Sequence, residues 1–258
     1  MKKNKIIIIL IFLILIVFSS NGFATGEIDS TDFSLFGNNI TIQNQDNPGG
    51  YVDTIQIILL LSVLTLLPSI VIMMTSFTRT IIILSFMRTA LGTQQTPPNQ
   101  VLVGLALFLT FFIMTPVINQ INDDAIKPFI AEEITQEEFQ TKALKPIREF
   151  MFEQTRDTDL KLFIDLSQLE KRPENLEEIP TTTLVPAFMI SELKTAFTIG
   201  FQLFIPFLIV DMVVASTLMA MGMMMLPPVM IALPFKLLLF TLVDGWHLLV
   251  EMIVKGFQ

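Results

Sequence analysis

Methionine is unusually concentrated in one part of this chain, where its thioethers surround a glycine and precede two prolines. Seven of the 15 Met lie between positions 212 and 230, most of them in the run Met219-Ala-Met-Gly-Met-Met-Met-Leu-Pro-Pro228. Met is unbranched and polarizable, so it can fill irregular gaps and repack around a changing surface. The run joins two long apolar segments, and it suits either a deformable seal across a pore or gap filling between packed helices.

The candidate seal has a defined membership. Its thioethers belong to Met219, Met221, Met223, Met224 and Met225. Gly222 gives the backbone freedom beside them, and Pro227 and Pro228 fix the direction in which the chain leaves. A ring of flexible apolar groups would exclude water at rest and could still fit substrate side chains of many shapes.

Ionisable side chains inside apolar segments form the second candidate set, because such groups are costly in a membrane and are usually paired. The set is Arg79, Glu192, Asp211, Lys236, Asp244 and Glu251. It could form a proton or ion relay, or salt bridges that set register between helices or subunits. We favour salt bridges, with Lys236 paired to Glu192 or Asp211 of its own or a neighbouring chain. His247 is predicted to share a helical face with Asp244 and Glu251 as a packing side chain.

Composition narrows the class of protein. The chain has 258 residues, of which 52% are hydrophobic and only 16% charged, as in a membrane protein. There is no Cys and only one His, which argues against a transition-metal site and against a Ser-His-Asp hydrolase. No basic patch suggests nucleic acid, no phosphate-binding loop appears, and we predict no cofactor.

Hydropathy divides the chain into five segments. Residues 1–24 are typical of a signal peptide, because three Lys flank an apolar core too short for an ordinary span. Residues 25–50 predict a flexible tail outside the cytoplasm. Residues 51–122 and 184–258 predict two long helical hairpins. Residues 123–183 predict a small, mainly helical acidic domain outside the cytoplasm. The predicted fold is therefore an all-α membrane protein.

Each hairpin turns at a tip with two adjacent prolines, which we call the first tip (residues 90–100) and the second tip (residues 219–228). The arms of the first hairpin are about 50 Å long as helices, against about 30 Å for the bilayer core, and Pro68 and Pro116 are predicted to kink them. Arg79 and Arg88 predict a cytoplasmic location for the first tip. We find no internal repeat of clear sequence similarity.

Three motifs resemble those of the FliP family of flagellar export-gate proteins, which has relatives in virulence type III secretion. They are Arg88-Thr-Ala-Leu-Gly-Thr-Gln-Gln-Thr-Pro-Pro-Asn-Gln100, Pro186-Ala-Phe-Met-Ile-Ser-Glu-Leu-Lys-Thr-Ala-Phe-Thr-Ile-Gly-Phe201, and the stretch from Asp211 to Trp246. They occur in the family's order, with the acidic insert between the hairpins, and the resemblance covers residues 51–256. Thr198 departs from the pattern, since a longer polar side chain is expected there.

The resemblance implies an assembly and a location. Five copies would surround an axis and join FliQ and FliR in a conical helical gate, in the bacterial inner membrane at the flagellar basal body. Unfolded flagellar proteins would pass through its centre while the Met-rich loop closes around them.

Residues and resemblance together predict a non-enzymatic structural subunit of a protein-conducting gate. The alternative is an ion-coupled small-solute transporter, which Gly/Pro-interrupted helices and intramembrane charges would also fit. The missing repeat and the large acidic insert count against that alternative. An intramembrane enzyme is disfavoured, because the chain has one His and no Cys.

Overall fold

The computed structural model describes residues 72–93, 95–167, 173, 175–223 and 226–257, the pairs 61–62, 65–66 and 69–70, and the backbone of 33–35 and 38–40. The predicted signal peptide lies outside these residues. The chain divides into two units, Met1–Thr65 and Leu66–Gln258. In the first unit, β1 (Phe33–Leu35) and β2 (Asn38–Ile40) pair antiparallel, with Phe33 opposite Ile40. The sequence analysis did not predict these strands within residues 25–50.

The second unit is built from helices, which confirms the predicted helical class for this part of the chain. They are α1 (Phe77–Leu91), α2 (Asn99–Ile121), α3 (Lys127–Ile130), α4 (Gln136–Gln154), α5 (Asp157–Leu166), α6 (Thr181–Ala220), α7 (Pro228–Leu242) and α8 (Gly245–Lys255). A π-helical segment, Asn122–Ile126, joins α2 to α3, and a 3-10 turn, Leu176–Glu178, precedes α6.

The helices flanking the first tip have other bounds than predicted. A turn at residues 74–76 separates α1 from the helical residues before it, so the first arm of the predicted hairpin is not one helix. Pro68 lies outside the described residues. Helix α2 runs through Pro116 without a break. Helical conformation then continues to Ile130, eight residues beyond the predicted end of the hairpin at position 122.

The acidic segment folds against the hairpins. Helix α4 starts with a capping box, in which the Glu138 N–H donates to Thr135 Oγ1 (3.3 Å) and the Thr135 N–H donates to Glu138 Oε2 (2.9 Å). From the same helix, Arg148 donates to the Ile179 carbonyl at 2.7 Å, just before α6 begins. The entry into α6 is therefore fixed by the acidic segment.

Two apolar cores hold the second unit together. The first core lies among α1, α2, α6, α7 and α8, and its fully enclosed side chains include Ile83, Leu84, Ala106 and Ile253. The second core joins the end of α2 to α4, α5 and the start of α6, and it includes Met114, Phe150, Met151 and Phe188. Helix α6 contributes side chains to both cores and therefore connects them.

Close approach of α1 to α6 depends on Gly200. A Cβ at this position would lie 2.5 Å from Cδ2 of Phe86. The Phe86 ring packs edge-on against Phe197 and Phe204, with centroids 5.2 and 6.0 Å apart. A larger residue at position 200 would push this ring out of the interface. Gly104 differs, because its Cβ would meet open space.

Two helical stretches among the described residues are long and apolar enough to cross a membrane. They are Asn99–Ile130, which combines α2 and α3, and α6. Helices α7 and α8 would be a third crossing if taken together, although their axes differ by 65°. At 40 residues, α6 is about 60 Å long and exceeds the bilayer core of about 30 Å.

A bend between α7 and α8 interrupts the helical hairpin that was predicted over residues 184–258. Asp244 adopts a left-handed conformation (φ 51°, ψ 54°) just before α8. Gly245 is needed next to it, because a Cβ there would lie 2.1 Å from the Phe240 ring. Asp244 therefore precedes α8. The sequence analysis had predicted that Asp244 shares a helical face with His247 and Glu251, and the structure does not place it there.

Candidate functional site

The second tip begins with a hydrogen-bonded helix end. Gly222 has φ +74°, a conformation that strains residues with a side chain. Its N–H donates to the Met219 carbonyl at 3.0 Å, and the Met223 N–H donates to the Leu218 carbonyl at 3.0 Å. These two bonds form a Schellman motif, which satisfies carbonyls that the end of a helix leaves without partners. Main-chain bonds thus define the backbone where α6 ends at Gly222 and Met223.

The Met side chains at this tip point away from the protein core. Met219, Met221 and Met223 are 58, 64 and 43% exposed. Met224 and Met225 lie outside the described residues. On the other side of the tip, Pro227 precedes α7 and Pro228 is its first residue, a position where the missing N–H costs nothing. The structure therefore presents apolar thioethers at a hydrogen-bonded helix end.

The first tip has the same spacing as the second. Both contain Ala, one apolar residue, Gly, four further residues and Pro-Pro, starting at Ala90 and at Ala220. Gly92 has φ +76°, close to the φ of Gly222, and Pro98 directly precedes α2. The sequence analysis missed this correspondence because the four residues between Gly and Pro-Pro differ completely.

A lysine from α7 fastens the first tip. Lys236 Nζ lies 2.6 Å from Asp211 Oδ2 of α6 and donates to the Ala90 carbonyl of α1 at 3.1 Å. A cation is favoured at this place, because the C-terminal end of a helix carries partial negative charge. Of the two partners that the sequence left open for Lys236, the structure places Asp211 beside it. We call this arrangement the Lys236 pin.

Helices α6 and α7 both extend beyond the Lys236 pin towards the second tip. Beyond Asp211, α6 continues for nine residues to Ala220, and eight residues of α7 precede Lys236, which correspond to about 14 and 12 Å of helix. An apolar groove of about 740 Å³ runs between the two helices, with Val213, Leu218, Met221 and Phe235 among its lining. Asp211 Oδ1 is enclosed but has no hydrogen-bond partner among the described residues.

A second charge pair, which is buried, connects four parts of the chain. Arg79 of α1 forms a two-pronged salt bridge with Glu192 of α6, in which Nε lies 2.9 Å from Oε2. The guanidinium also donates to the Gly256 carbonyl at 2.8 Å and to Gln154 Oε1 at 3.0 Å. The Phe257 ring covers it at 3.8 Å from its centroid. Both charges are buried, and their partners satisfy them.

A third polar contact joins the acidic segment to α6. Asp159 accepts hydrogen bonds from Ser191 at 2.8 Å and from Arg156 Nε at 3.0 Å. Burial raises the pKa of Asp159, but these hydrogen bonds and the charges of Arg156 and Lys194 outweigh it, so the pKa lies below its ordinary value. The carboxylate is therefore bound in its ionised form.

The remaining predicted charges lie apart from these contacts. Glu251 accepts a hydrogen bond from Lys255 at 2.6 Å along α8, as an exposed pair one turn apart. Asp244 is exposed at the bend. Among the described residues there is no cluster of three or more His, Asp or Glu side chains that could hold a metal ion. The structure thus separates the six predicted charges into one buried pair, one partly buried pair and two exposed carboxylates.

Comparison with known proteins gives a consistent result. Residues 60–253 match the FliP family. The chain is 58% identical over 218 residues to the flagellar biosynthetic protein FliP of Bacillus subtilis, covering 84% of this chain and 98% of that protein. It is 55% identical over 204 residues to the protein of the same name from Pectobacterium carotovorum, covering 79% of each. With that from Aquifex aeolicus it shares 50% over 211 residues, covering 81% of this chain and 88% of that one.

Proposed function

Because the chain belongs to the FliP family, we propose that it is a core structural subunit of the flagellar type III protein export gate. In this role it performs no catalysis and needs no cofactor. It forms, with further copies of itself, the channel through which unfolded flagellar proteins leave the cell. The observation that carries the proposal is the second tip, where exposed thioethers lie at a hydrogen-bonded helix end beyond the Lys236 pin.

The seal is the part of the proposal that depends most on this geometry. An exposed apolar tip and an apolar groove are unfavourable in water, so both call for neighbouring protein or lipid. Five copies around one axis would bring their Met side chains into a single ring. Such a ring excludes water and ions when closed, and flexible thioethers can repack around a passing chain.

The proposed assembly contains FliQ and FliR together with five copies of this chain, within the inner membrane at the flagellar basal body. We place the acidic segment and the mature N-terminus outside the cytoplasm. The unpartnered Oδ1 of Asp211 is available for a donor from a neighbouring subunit. The ion-coupled transporter is not favoured, because Arg79 with Glu192 and Lys236 with Asp211 are paired within the chain.

The test is ion leakage through the assembled gate. In complexes co-expressed with FliQ and FliR, Met219, Met221, Met223, Met224 and Met225 are replaced together by Ala. We expect assembly by native mass spectrometry as before, but increased ion leakage in proteoliposomes. The matched control is Met73→Ala, which removes an exposed Met far from the tip in sequence. Unchanged leakage in a fully assembled complex would count against the seal.

A further inference from the structure

The exposed methionines of this protein are concentrated around the second tip. Six Met of the described residues are exposed, and five of them lie between positions 212 and 230, whereas Met73 is the sixth. Met87, Met114 and Met151 are enclosed in the two cores. The chain has no Cys, so exposed thioethers are its side chains most readily oxidised by peroxide.

We propose that the second tip is a site of methionine oxidation, and that sulfoxide formation at Met219, Met221 and Met223 opens the seal. The inference rests on the proposed function, because it assigns a regulation to the same ring. The oxidant is hydrogen peroxide, a small neutral molecule that can reach the tip from the water on either side of a closed pore.

The chemistry needs no other reactant. The thioether sulfur attacks one peroxide oxygen, the O–O bond breaks, and an S–O bond forms. Sulfur loses two electrons, and the second oxygen leaves as hydroxide. The proton on the transferred oxygen then passes to this hydroxide to form water. The product is a methionine sulfoxide, and the peroxide has been reduced to water.

Oxidation would alter the lining and leave the backbone in place. The Schellman motif at Gly222 consists of main-chain bonds, from Gly222 to Met219 and from Met223 to Leu218, so no side-chain sulfur takes part in it. A sulfoxide is polar and chiral where the thioether was apolar and flexible. A hydrophobic constriction closes by excluding water, and polar oxygens on each copy would let water enter it.

The first experiment measures where oxidation occurs. The assembled complex is exposed to limiting hydrogen peroxide, and peptide mass spectrometry follows the added oxygen at each Met. We expect Met219, Met221 and Met223 to oxidise roughly tenfold faster than Met87 and Met151, because the latter two are buried. Equal rates at the tip and in the cores would overturn the inference.

The second experiment measures what oxidation does. Ion leakage through the assembled gate in proteoliposomes is recorded before peroxide, after peroxide, and after treatment with both methionine sulfoxide reductases, one for each epimer. We expect leakage to rise several-fold after peroxide and to return to its initial rate once the sulfoxides have been reduced. Tip sulfoxides without any rise in leakage would overturn the inference.

Two variants assign the effect to the tip. When Met219, Met221 and Met223 are replaced together by Leu, the ratio of leakage after and before peroxide is expected to fall towards one. With Met73→Leu, an exposed Met in another part of the chain, the ratio is expected to stay as in the wild type. If the Ala variants leak but tip sulfoxides do not, only the oxidation inference fails. If the Ala variants do not leak either, the seal itself fails.

Discussion

The first and second tips have the same spacing of Ala, Gly and Pro-Pro, and yet one is fastened and the other is free. At the first tip, Arg88 donates to Asn99 Oδ1 across the turn, and Lys236 reaches the Ala90 carbonyl. A Cβ on Gly92 would be in ordinary contact with Leu233. At the corresponding places the second tip has Leu218 and Val229, which cannot form such bonds. A Cβ on Gly222 would meet open space.

The difference shows that the residues which form the turn are not the residues which decide what the turn contacts. Gly supplies the left-handed residue that ends the first helix, and Pro-Pro starts the second. The four residues between them are then free to vary. Polar residues at the first tip suit a turn held by hydrogen bonds, whereas Met and Leu at the second suit an apolar contact with other subunits or substrate.

Removing the Lys236 pin should have the largest effect on this comparison. We expect Lys236→Met to lower the free energy of unfolding by about 3 kcal/mol, because Asp211 would lose its partner. This value is the lower end of the range for a buried pair, since the Asp211 side chain keeps 30% exposure. Chemical denaturation in mild detergent would measure it. The control combines Lys236→Met with Asp211→Leu and should recover much of the loss. A double variant as unstable as the sum of both single variants would contradict the pairing.

Matched Gly→Ala substitutions test whether one tip is more constrained than the other. At φ +76° and +74°, Ala is strained by about 1 kcal/mol. We expect Gly92→Ala to lower the free energy of unfolding by about that amount, because the first tip is fastened. Gly222→Ala should cost less than half as much, since the end of α6 can fray without disturbing a core. Gly104→Ala, inside α2 and facing open space, is the control and should be neutral or stabilising. Equal losses at both tips would remove the distinction between them.

Acid should weaken the contact between Asp159 and Ser191 of α6, which lies far along the chain from both tips. The folded pKa of Asp159 is lowered from 3.8, so its contribution to stability is complete above that pH. It is lost as the pH falls from there through the folded value. The measurement is the free energy of unfolding against pH, for the wild type and for Asp159→Asn. The difference between the two proteins should shrink in this acid range, and a constant difference would contradict the assignment.

The smallest effect on stability is expected at the Met side chains themselves. Ala at Met221 and Met223 should change the free energy of unfolding by less than about 0.5 kcal/mol, because these side chains are exposed. Met151→Ala, which opens a cavity in the second core, should cost about 2–5 kcal/mol. Denaturation of the purified chain in detergent would compare them. A large loss at the tip would show that its Met residues pack within one chain.

Sequence patterns were sufficient for the helical class and for the approximate positions of both tips. Pro-Pro and Gly punctuate the apolar runs, and these signals are local. Other local signals were present but missed. Asp244-Gly245 is a common turn pair and predicts the bend before α8. The shared Ala-x-Gly spacing of the tips could also be read from the sequence.

The charge pairs could not be assigned from sequence, since their members come from different helices. Lys236 could equally have met Glu192 or Asp211, and only the packing of α7 against α6 decides between them. The carbonyl of Gly256 gave no signal as a partner of Arg79, because any residue carries such a group. The exposure of Met219 and Met221 is likewise a property of the packing, since Met87 and Met151 have the same side chain inside a core.

The partners of Arg79 are made at different times during synthesis of the chain. Its last hydrogen-bond partner, the Gly256 carbonyl, lies 177 residues later in the chain. At 5–20 residues per second, a ribosome needs roughly 10–35 s to make the intervening stretch. Throughout that time the guanidinium lacks part of its final set of hydrogen bonds, so water, lipid headgroups or the insertion machinery must solvate it. Helix α1 therefore leaves the ribosome long before Gly256, and it reaches its final environment only after Gly256 has been made.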